Sequence, residues 1–354
     1  PGQINHYQAL STALAATVGM GNITGVALAI TMGGPGAIFW MWVSAILGVT
    51  TKYFTCTLAV MYRGRDSNGE LQGGPMYVIV EGLGKNWKPL AVFFSLLGMI
   101  GVLPMFQVNQ LTQIVRDVVL VPNSVQAGFT SNLVSGLIVA FLVGIVIFGG
   151  IKRIGKVTGR MVPIMVVLYV LAVLFIIFSH TERILPSFAL IFRDAFTAQS
   201  VLGGSLGALV ITGVRRAAFS NEAGIGTAPM AHGAAKSQEP VREGLVAMLG
   251  PVVDTIIVCT MTALALIMTG VWNAGESDGI TMTADAFEVA MPGWGAYLLT
   301  ICVAVFSIST MLSFPYYGTK CFSFIFGARH TYIYKWFYLL TIPFGATATL
   351  GTVV

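Results

Sequence analysis

Two short stretches rich in polar residues and glycine lie near the middle of long apolar runs. The first, within residues 13–25, places Gly19, Gly21 and Asn22 at its centre. The second, within residues 214–226, contains two Arg, one Glu, one Asn and two Gly. Gly and Asn lower helix propensity, and broken backbone at membrane depth is tolerated only where it is buried in protein or lines a water-filled cavity. Each stretch therefore predicts a helix that breaks midway.

The backbone groups left free at two such breaks suit opposite charges. After the first break, the N–H groups around Met20, Gly21 and Asn22, together with the positive end of a half-helix dipole, suit a carboxylate. Glycines there let a ligand approach the backbone closely. At the second break, the carbonyl groups around Phe219 and Ser220 suit an ammonium group or a cation. The pair of breaks predicts a receptor for a small zwitterion, and a small neutral amino acid fits this description. The alternative is that the glycines only let helices pack closely.

Hydroxyl side chains in a later apolar run suggest a cation site beside the first break. Ser309 and Thr310 offer oxygen ligands of the kind that a hard cation prefers. They could join the free carbonyl groups at the end of the first half-helix, from Ala15 to Val18. Serine and threonine hydroxyls also bond back to their own helix, so both interpretations stay open.

Two amide side chains lie in the middle of a third apolar run. Gln107 and Asn109 are two residues apart, so they point to different faces of one helix. An unpaired amide in lipid is costly, and at least one of the two is expected to face the cavity. Gln107 is the favoured candidate.

Charged residues within the apolar runs are the most expensive groups in the chain. Charges at this depth usually face the bundle interior or water and pair with one another. Arg215, Arg216 and Glu222 are expected either to gate a pathway or to brace the broken helix, and bracing is favoured. Asp254 and Lys52 are interpreted as structural.

Composition indicates a protein that lies in lipid. The chain has 354 residues, of which 56% are hydrophobic and 9% charged, whereas a soluble domain carries roughly 25% charged residues. Long apolar runs such as 133–148 and 161–178 lack the alternation of a barrel strand, and they predict spanning helices, which need about 20 apolar residues each. The net charge of +5 lies in short loops, so it does not indicate nucleic acid as a partner. The chain also shows no sign of an obligate protein partner.

The predicted fold class is therefore an all-α polytopic membrane protein. Nine spans are expected, at residues 7–31, 36–62, 89–121, 132–149, 157–179, 202–234, 241–271, 293–313 and 332–354. The segment 75–84 is too short to cross the bilayer and is expected to lie along its surface.

The distribution of Lys and Arg predicts the orientation of the spans. Twelve of these residues lie on one side: Arg63, Arg65, Lys85, Lys88, Lys152, Arg153, Lys156, Arg160, Lys236, Arg242, Arg329 and Lys335. Three lie on the other side: Arg116, Arg183 and Arg193. The first side is therefore predicted to be cytoplasmic, in the plasma (inner) membrane, and the first span begins inside.

The spacing of the two breaks predicts an inverted repeat. Five spans run from the first broken helix to just before the sixth, so the two broken helices cross in opposite directions. The first half is expected to cover residues 1–199 and the second residues 200–354. A discontinuous helix at the start of each inverted half indicates the central site of a transporter. A complete second half needs a tenth span, so a C-terminal truncation is expected, and the start at Pro1 suggests a truncated or processed N-terminus.

Several motifs resemble the alanine/glycine:cation symporter family, the sodium:alanine symporters. Residues 13–25 are followed at 33–42 by Gly-Gly-Pro-Gly-Ala-Ile-Phe-Trp-Met-Trp, which is similar to that family's signature. Further matches are Gln-Gly-Gly-Pro-Met-Tyr at 72–77, Ala-Ala-Phe-Ser-Asn-Glu-Ala-Gly-Ile-Gly at 217–226 and Pro-Tyr-Tyr-Gly at 315–318. The resemblance covers essentially the whole chain.

The resemblance implies a leucine-transporter-type fold of two inverted five-helix repeats, with sodium-driven uptake of alanine or glycine. It implies that Gly21 and Asn22 meet the substrate carboxylate and that the Phe219 carbonyl meets the ammonium group. Gln107 matches a polar site position, and Thr310 would lie between substrate and cation.

The resemblance also implies a sodium site and a position that sets the size of the pocket. Ala15, Val18, Ser309 and Thr310 would bind the coupling sodium ion. Phe314 stands where the family often has Trp, which leaves the preference between alanine and glycine open.

Three other functions compete with sodium-coupled symport. Proton coupling would need a titrating group in the cavity, and Glu222 is the best candidate. A receptor or channel gated by an amino acid could use the same scaffold, although a channel needs a continuous polar pore and the polar residues here cluster at one depth. An enzyme is not expected, because no credible pair of nucleophile and base is present.

Overall fold

The computed structural model describes residues 2–125, 127–197, 206–273 and 279–353, and this part of the chain is mainly helical. The α-helices are α1 (His6–Thr17), α2 (Met20–Gly33), α3 (Ala37–Met61), α4 (Pro75–Val78), α5 (Lys88–Gly101), α6 (Met105–Ile114), α7 (Phe129–Ile147), α8 (Gly150–Ser179), α9 (Ile184–Asp194), α10 (Leu206–Asn221), α11 (Ala228–His232), α12 (Pro240–Ala247), α13 (Leu249–Pro251), α14 (Thr260–Thr269), α15 (Gly279–Ala290), α16 (Gly295–Phe326), α17 (Thr331–Thr347) and α18 (Leu350–Val353).

Three π-helical segments extend these helices and one small hairpin connects two of them. The π-helical segments Ile79–Leu83, Val115–Leu120 and Val252–Cys259 follow α4, α6 and α13. The hairpin pairs β1 (Gly64–Arg65) with β2 (Leu71–Gln72) in antiparallel register, with Gly64 opposite Gln72. The 3₁₀ turns are Lys85–Trp87, Thr181–Arg183, Val271–Asn273 and Ala328–His330.

Seven helical segments within the described residues are long and apolar enough to cross a membrane. They are His6–Gly33, Ala37–Met61, Lys85–Leu120, Phe129–Ile147, Gly150–Ser179, Pro240–Thr269 and Gly295–Phe326. The expected sixth span corresponds to α10 and α11, and the ninth corresponds to α17, which has 17 residues. The count of nine therefore stays a prediction, and the predicted boundary between the two halves at 199–200 lies outside the described residues.

The first predicted helix is broken, as expected. Helix α1 ends at Thr17, Val18 leaves the helical conformation with φ −76° and ψ 92°, and α2 begins at Met20. Gly19 adopts φ −156° and ψ −147° between the two half-helices. The apolar window of this span is 89% buried, against 28% for Phe129–Ile147. The broken span therefore lies at the centre of the bundle, while α7 faces lipid.

The sixth predicted helix is also broken. Helix α10 ends at Asn221 and α11 begins at Ala228. Glu222 follows α10 with a φ of 56°, a left-handed conformation that is uncommon outside glycine. The carbonyl of Glu222 accepts the N–H groups of Ile225 (3.2 Å) and Gly226 (3.0 Å), so a tight turn replaces the helical ladder.

Three spans differ from the sequence expectation, one by an interruption and two by where they end. The third span is interrupted at residues 102–104, between α5 and α6. The ninth ends at Thr347. Helix α16 continues to Phe326, well beyond the expected end at residue 313, and contains Pro315. Residues 309–318 are all buried. Proline is tolerated in such a helix because neighbouring helices hold it in place and local adjustment satisfies the freed carbonyl.

Candidate functional site

A small cavity lies where the two breaks meet. Its volume is about 30 Å³. It is enclosed by the α1–α2 break, the end of α5, α6, the α10–α11 break and the middle of α16. The lining residues are Ala16, Thr17, Gly19, Met20, Gly21, Gly101, Val102, Gln107, Phe219, Glu222, Ile225, Thr227, Thr310 and Phe314.

Six of the eight residues predicted to bind substrate line this cavity. They are Met20, Gly21, Gln107, Phe219, Thr310 and Phe314. The other two, Asn22 and Ser220, are buried beside it, and their side chains are engaged elsewhere. The cavity therefore brings together residues from four regions of the sequence that are far apart along the chain.

The α2 side of the cavity presents the start of a helix. The first N–H groups of any helix lack intrahelical partners, and Met20 and Gly21 occupy these positions in α2. The backbone N–H of Asn22 donates to the Gly19 carbonyl (3.1 Å), and the backbone N–H of Gly19 donates to the side-chain Oδ1 of Asn22 (2.8 Å). This reciprocal pair closes the break, and the first two residues of α2 line the cavity.

The Asn22 side chain is held by a buried carboxylate. Asn22 Nδ2 donates to Asp254 Oδ1 (2.7 Å) and to the Asp254 carbonyl (3.0 Å). The hydroxyl groups of Ser220 and Thr255 both donate to Asp254 Oδ2 at 2.8 Å. Asp254 therefore ties α2 to the last turn of α10 and fixes the two breaks relative to each other. The sequence indicates a structural role for Asp254 but does not connect it to either break, because no local pattern links positions so far apart.

Three buried side-chain oxygens that line the cavity make no hydrogen bond within the described part of the chain. They are Gln107 Oε1, Glu222 Oε2 and Thr227 Oγ1. The Thr227 hydroxyl faces the Glu222 carboxyl, but neither oxygen makes a hydrogen bond of normal geometry. Buried polar groups are seldom left without a partner. These oxygens are suited to a ligand that brings its own donors or positive charge.

Gln107 and Asn109 have different surroundings. Gln107 lines the cavity, whereas Asn109 Nδ2 donates to the Gly345 carbonyl (3.2 Å) and the Ala348 carbonyl (2.7 Å). Asn109 thus joins α6 to the end of α17, on the other face of the helix.

The four residues predicted to hold sodium are all buried. Ala15, Val18 and Ser309 are 0% exposed and Thr310 is 1% exposed. The hydroxyls of Ser309 and Thr310 donate to the Phe306 carbonyl at 2.8 Å and 3.1 Å. Both hydroxyls therefore bond back to their own helix, which is the alternative to cation binding that the sequence left open. A Cβ at Gly19 would lie 2.4 Å from Thr310 Oγ1. The Thr310 hydroxyl therefore touches the break itself, and only glycine leaves room for it.

The charges of the second break do not form one cluster. Arg215 is exposed and Arg216 is partly exposed. Arg216 Nη2 contacts Met32 Sδ at 3.6 Å. Glu222 is 3% exposed and lines the cavity. Within the described residues, no ion pair joins Glu222 to either arginine. Glu222 is thus the acidic side chain that belongs to the cavity.

The described part of the chain has a fold of the leucine-transporter type. A solved structure with a similar fold is that of MhsT in complex with L-phenylalanine, with a TM-score of 0.65 and 14% identity, covering 100% of this chain and 82% of MhsT. The sequence comparisons define the family more closely. The model of the sodium:alanine symporter family matches residues 1–354, and the chain belongs to this family.

Two curated relatives illustrate the family. The sodium/alanine symporter AgcS of Methanococcus maripaludis is 43% identical over 361 residues, covering 99% of this chain and 77% of AgcS. The probable sodium/glutamine symporter GlnT of Bacillus subtilis is 35% identical over 356 residues, covering 99% of this chain and 72% of GlnT. The chain is therefore a carrier and not an enzyme, and its class of activity is cation-coupled symport of amino acids across the plasma membrane.

Proposed function

We propose that this carrier takes up alanine or glycine together with sodium. The observation that supports the proposal best is the cavity between two helix breaks. The start of α2 lines this cavity together with three residues whose buried side-chain oxygens make no hydrogen bond of normal geometry within the described part of the chain. A zwitterion presents one charge to each side of such a cavity. The similarity to AgcS, whose name gives sodium and alanine, supports the same choice.

The carboxylate end of the substrate binds at the start of α2. In this proposal the N–H groups of Met20 and Gly21 donate to the carboxylate oxygens, where the half-helix dipole also favours negative charge. Asn22 acts through its position, because its side chain is used by Gly19 and Asp254. Its role is to hold the break in the shape that a carboxylate needs.

The ammonium end binds on the α10 side. The free carbonyl groups at the end of α10, from Phe219 and Ser220, accept its N–H groups. Gln107 lines the same cavity, and its Oε1, which has no hydrogen-bond partner among the described residues, accepts a further one. The Glu222 carboxyl, which lines the cavity as well, adds negative charge.

Sodium binds beside the substrate, between the first break and α16. The carbonyl groups of Ala15 and Val18 and the hydroxyls of Ser309 and Thr310 supply hard oxygen ligands. Thr310 also lines the substrate cavity, so one hydroxyl lies next to both ligands. Sodium binding therefore favours the same arrangement of α1, α2 and α16 that substrate binding requires.

The dimensions of the cavity favour a small side chain. A volume of about 30 Å³ has room for about two water molecules, since one water needs roughly 10–15 Å³ on this measure. The cavity must widen to admit any amino acid. Phe219 and Phe314 line it, and their rings would meet long side chains first. We therefore place alanine and glycine ahead of glutamine, the substrate named for GlnT.

Counterflow in proteoliposomes tests this proposal. The whole carrier is reconstituted with unlabelled alanine inside, and entry of labelled alanine is followed with and without an imposed inward sodium gradient. Saturable uptake that is stimulated by the gradient is expected. Alanine uptake that ignores sodium would remove the sodium part of the proposal, and large single-channel currents in planar bilayers would favour a channel.

Proton coupling is the second candidate, and one observation favours it. Glu222 is 3% exposed, lines the substrate cavity, and has an oxygen without a hydrogen bond in the described residues. A carboxyl group in this position could take up a proton when no cation is near. Sodium coupling is preferred because the ligands proposed for it are neutral oxygens, which suit a monovalent metal cation.

A further inference from the structure

A buried carboxylate lies between two histidines on the side of the molecule that the Lys and Arg distribution predicts to be cytoplasmic. Glu243 Oε1 lies 2.6 Å from His232 Nδ1, and Glu243 Oε2 makes a very short contact with His6 Nδ1. The side chains of Glu243 and His232 are 0% and 1% exposed, while that of His6 is 28% exposed. One carboxylate thus contacts two imidazoles, one of which reaches water.

The three residues belong to three different helices that adjoin the two breaks. His6 begins α1, the first half-helix before the first break. His232 ends α11, the short helix after the second break. Glu243 lies in α12, at the start of the span Pro240–Thr269. Glu243 therefore joins the ends of both broken helices, on the side of the molecule that the Lys and Arg distribution predicts to be cytoplasmic.

Backbone hydrogen bonds also join the residues before α1 to the segment after α11. The N–H groups of Gln3 and Ile4 donate to the Ala234 carbonyl at 2.8 Å and 3.3 Å, and the Lys236 N–H donates to the Ile4 carbonyl at 2.7 Å. The guanidinium of Arg63 holds the segment after α11 from the other side. It donates to the carbonyl groups of Gly233 (2.8 Å), Ala235 (2.6 Å) and Ser237 (3.1 Å).

We propose that Glu243 is a positioning residue of the transport cycle, and that with His6 and His232 it forms a latch that holds the cytoplasmic ends of the two broken helices together. The inference rests on the proposed symport, in which the halves of the molecule rock about the central site. Release of substrate to the cytoplasm then requires α1 and α11 to separate, and this separation breaks the contacts of Glu243.

The strength of the latch depends on the charge of Glu243. Hydrogen bonds to an ionised carboxylate are roughly twice as strong as those between neutral groups, and Glu243 offers one oxygen to each imidazole. Arg63, shortly after α3, and Cys56, within α3, also act on Glu243 from neighbouring elements.

Counterflow at one fixed pH, the same on both sides of the membrane, tests the latch. The Glu243→Gln variant keeps the shape of the side chain but loses its charge. It should exchange alanine about fivefold or more faster than wild type, because two charge-assisted hydrogen bonds are lost.

Controls separate the latch from a general effect of removing a charge. Glu239 lies four residues earlier with an exposed side chain, and Glu239→Gln should keep the wild-type rate. Should Glu243→Gln fail to fold, His6→Gln is the second variant, because His6 is partly exposed, and it should raise the rate of exchange to a smaller extent. A wild-type rate in both Glu243→Gln and His6→Gln overturns the latch. Absence of alanine counterflow in the wild type would instead count against the proposed function.

Discussion

Asn22 and Asp254 meet in the interior of the bundle, although 232 positions separate them in the sequence. Asn22 Nδ2 donates to the Asp254 carboxylate at 2.7 Å, while Asn22 Oδ1 accepts the Gly19 N–H at 2.8 Å. One side chain therefore closes the break of the first span and anchors it to the π-helical segment Val252–Cys259. The geometry of the cavity depends on this contact.

Removing the Asn22 amide should open the break. We expect Asn22→Ala to destabilise the carrier by about 2–3 kcal/mol, because a buried hydrogen bond to a charged group is lost and Asp254 keeps fewer donors. Alanine binding should weaken at least tenfold. Scintillation proximity binding and thermal unfolding in detergent measure the two effects.

Asn109→Ala is the matched control for Asn22. Asn109 also donates two hydrogen bonds, to the carbonyls of Gly345 and Ala348, but it lies away from the cavity. The control should lose stability and retain alanine affinity. Equal loss of alanine affinity in both variants would contradict the role assigned to Asn22.

A methyl group at Gly19 should disrupt the proposed sodium site. In Gly19→Ala the added Cβ would lie 2.4 Å from Thr310 Oγ1, so the Thr310 hydroxyl must turn away or α16 must move from the break. The sodium concentration for half-maximal uptake is expected to rise about tenfold or more, which corresponds to about 1.4 kcal/mol of lost binding. Gly25→Ala is the control, because its nearest neighbour would be the Met20 carbonyl at 3.9 Å. Similar sodium dependence in the two variants would contradict the proposed site.

The ring of Phe314 should limit the size of the substrate. Phe314 lines the cavity, and Phe314→Leu removes part of the ring without adding a polar group. We expect weaker alanine binding and measurable uptake of longer neutral amino acids such as glutamine, in competition assays with labelled alanine. Phe322→Leu on the same helix is the control, since Phe322 packs against Phe326 and Tyr334 instead. An unchanged substrate profile in Phe314→Leu would show that other residues set the size limit.

Glu222→Gln separates the two coupling mechanisms. The variant removes the charge and the proton-binding group but keeps a side chain of the same size in the cavity. If sodium is the coupling ion, uptake should remain dependent on the sodium gradient, with reduced alanine affinity because the ammonium loses a negative neighbour. Loss of all gradient-driven accumulation, with exchange of alanine retained, would favour the proton as the coupling ion.

Much of the architecture could be predicted from the sequence, because membrane helices are specified by local composition. Runs of apolar residues define the spans, and glycine with asparagine at membrane depth marks the broken helices at Gly19–Asn22 and after Phe219. The family motifs at 33–42 and 217–226 led to the family to which the chain belongs. Helix ends were harder to predict, since α16 continues through Pro315 only because the surrounding bundle buries residues 309–318.

Side-chain directions were decided by the tertiary structure alone. Hydropathy and helix propensity are sums over neighbouring residues, so they show that Asn22, Ser220 and Glu222 lie at membrane depth but not what each one faces. Packing turns Asn22 and Ser220 towards Asp254 and leaves Glu222 against the cavity. In the same way it brings His6 and His232 to the two oxygens of Glu243. Such contacts join helices that are remote in sequence, and only the fit of one helix surface against another determines them.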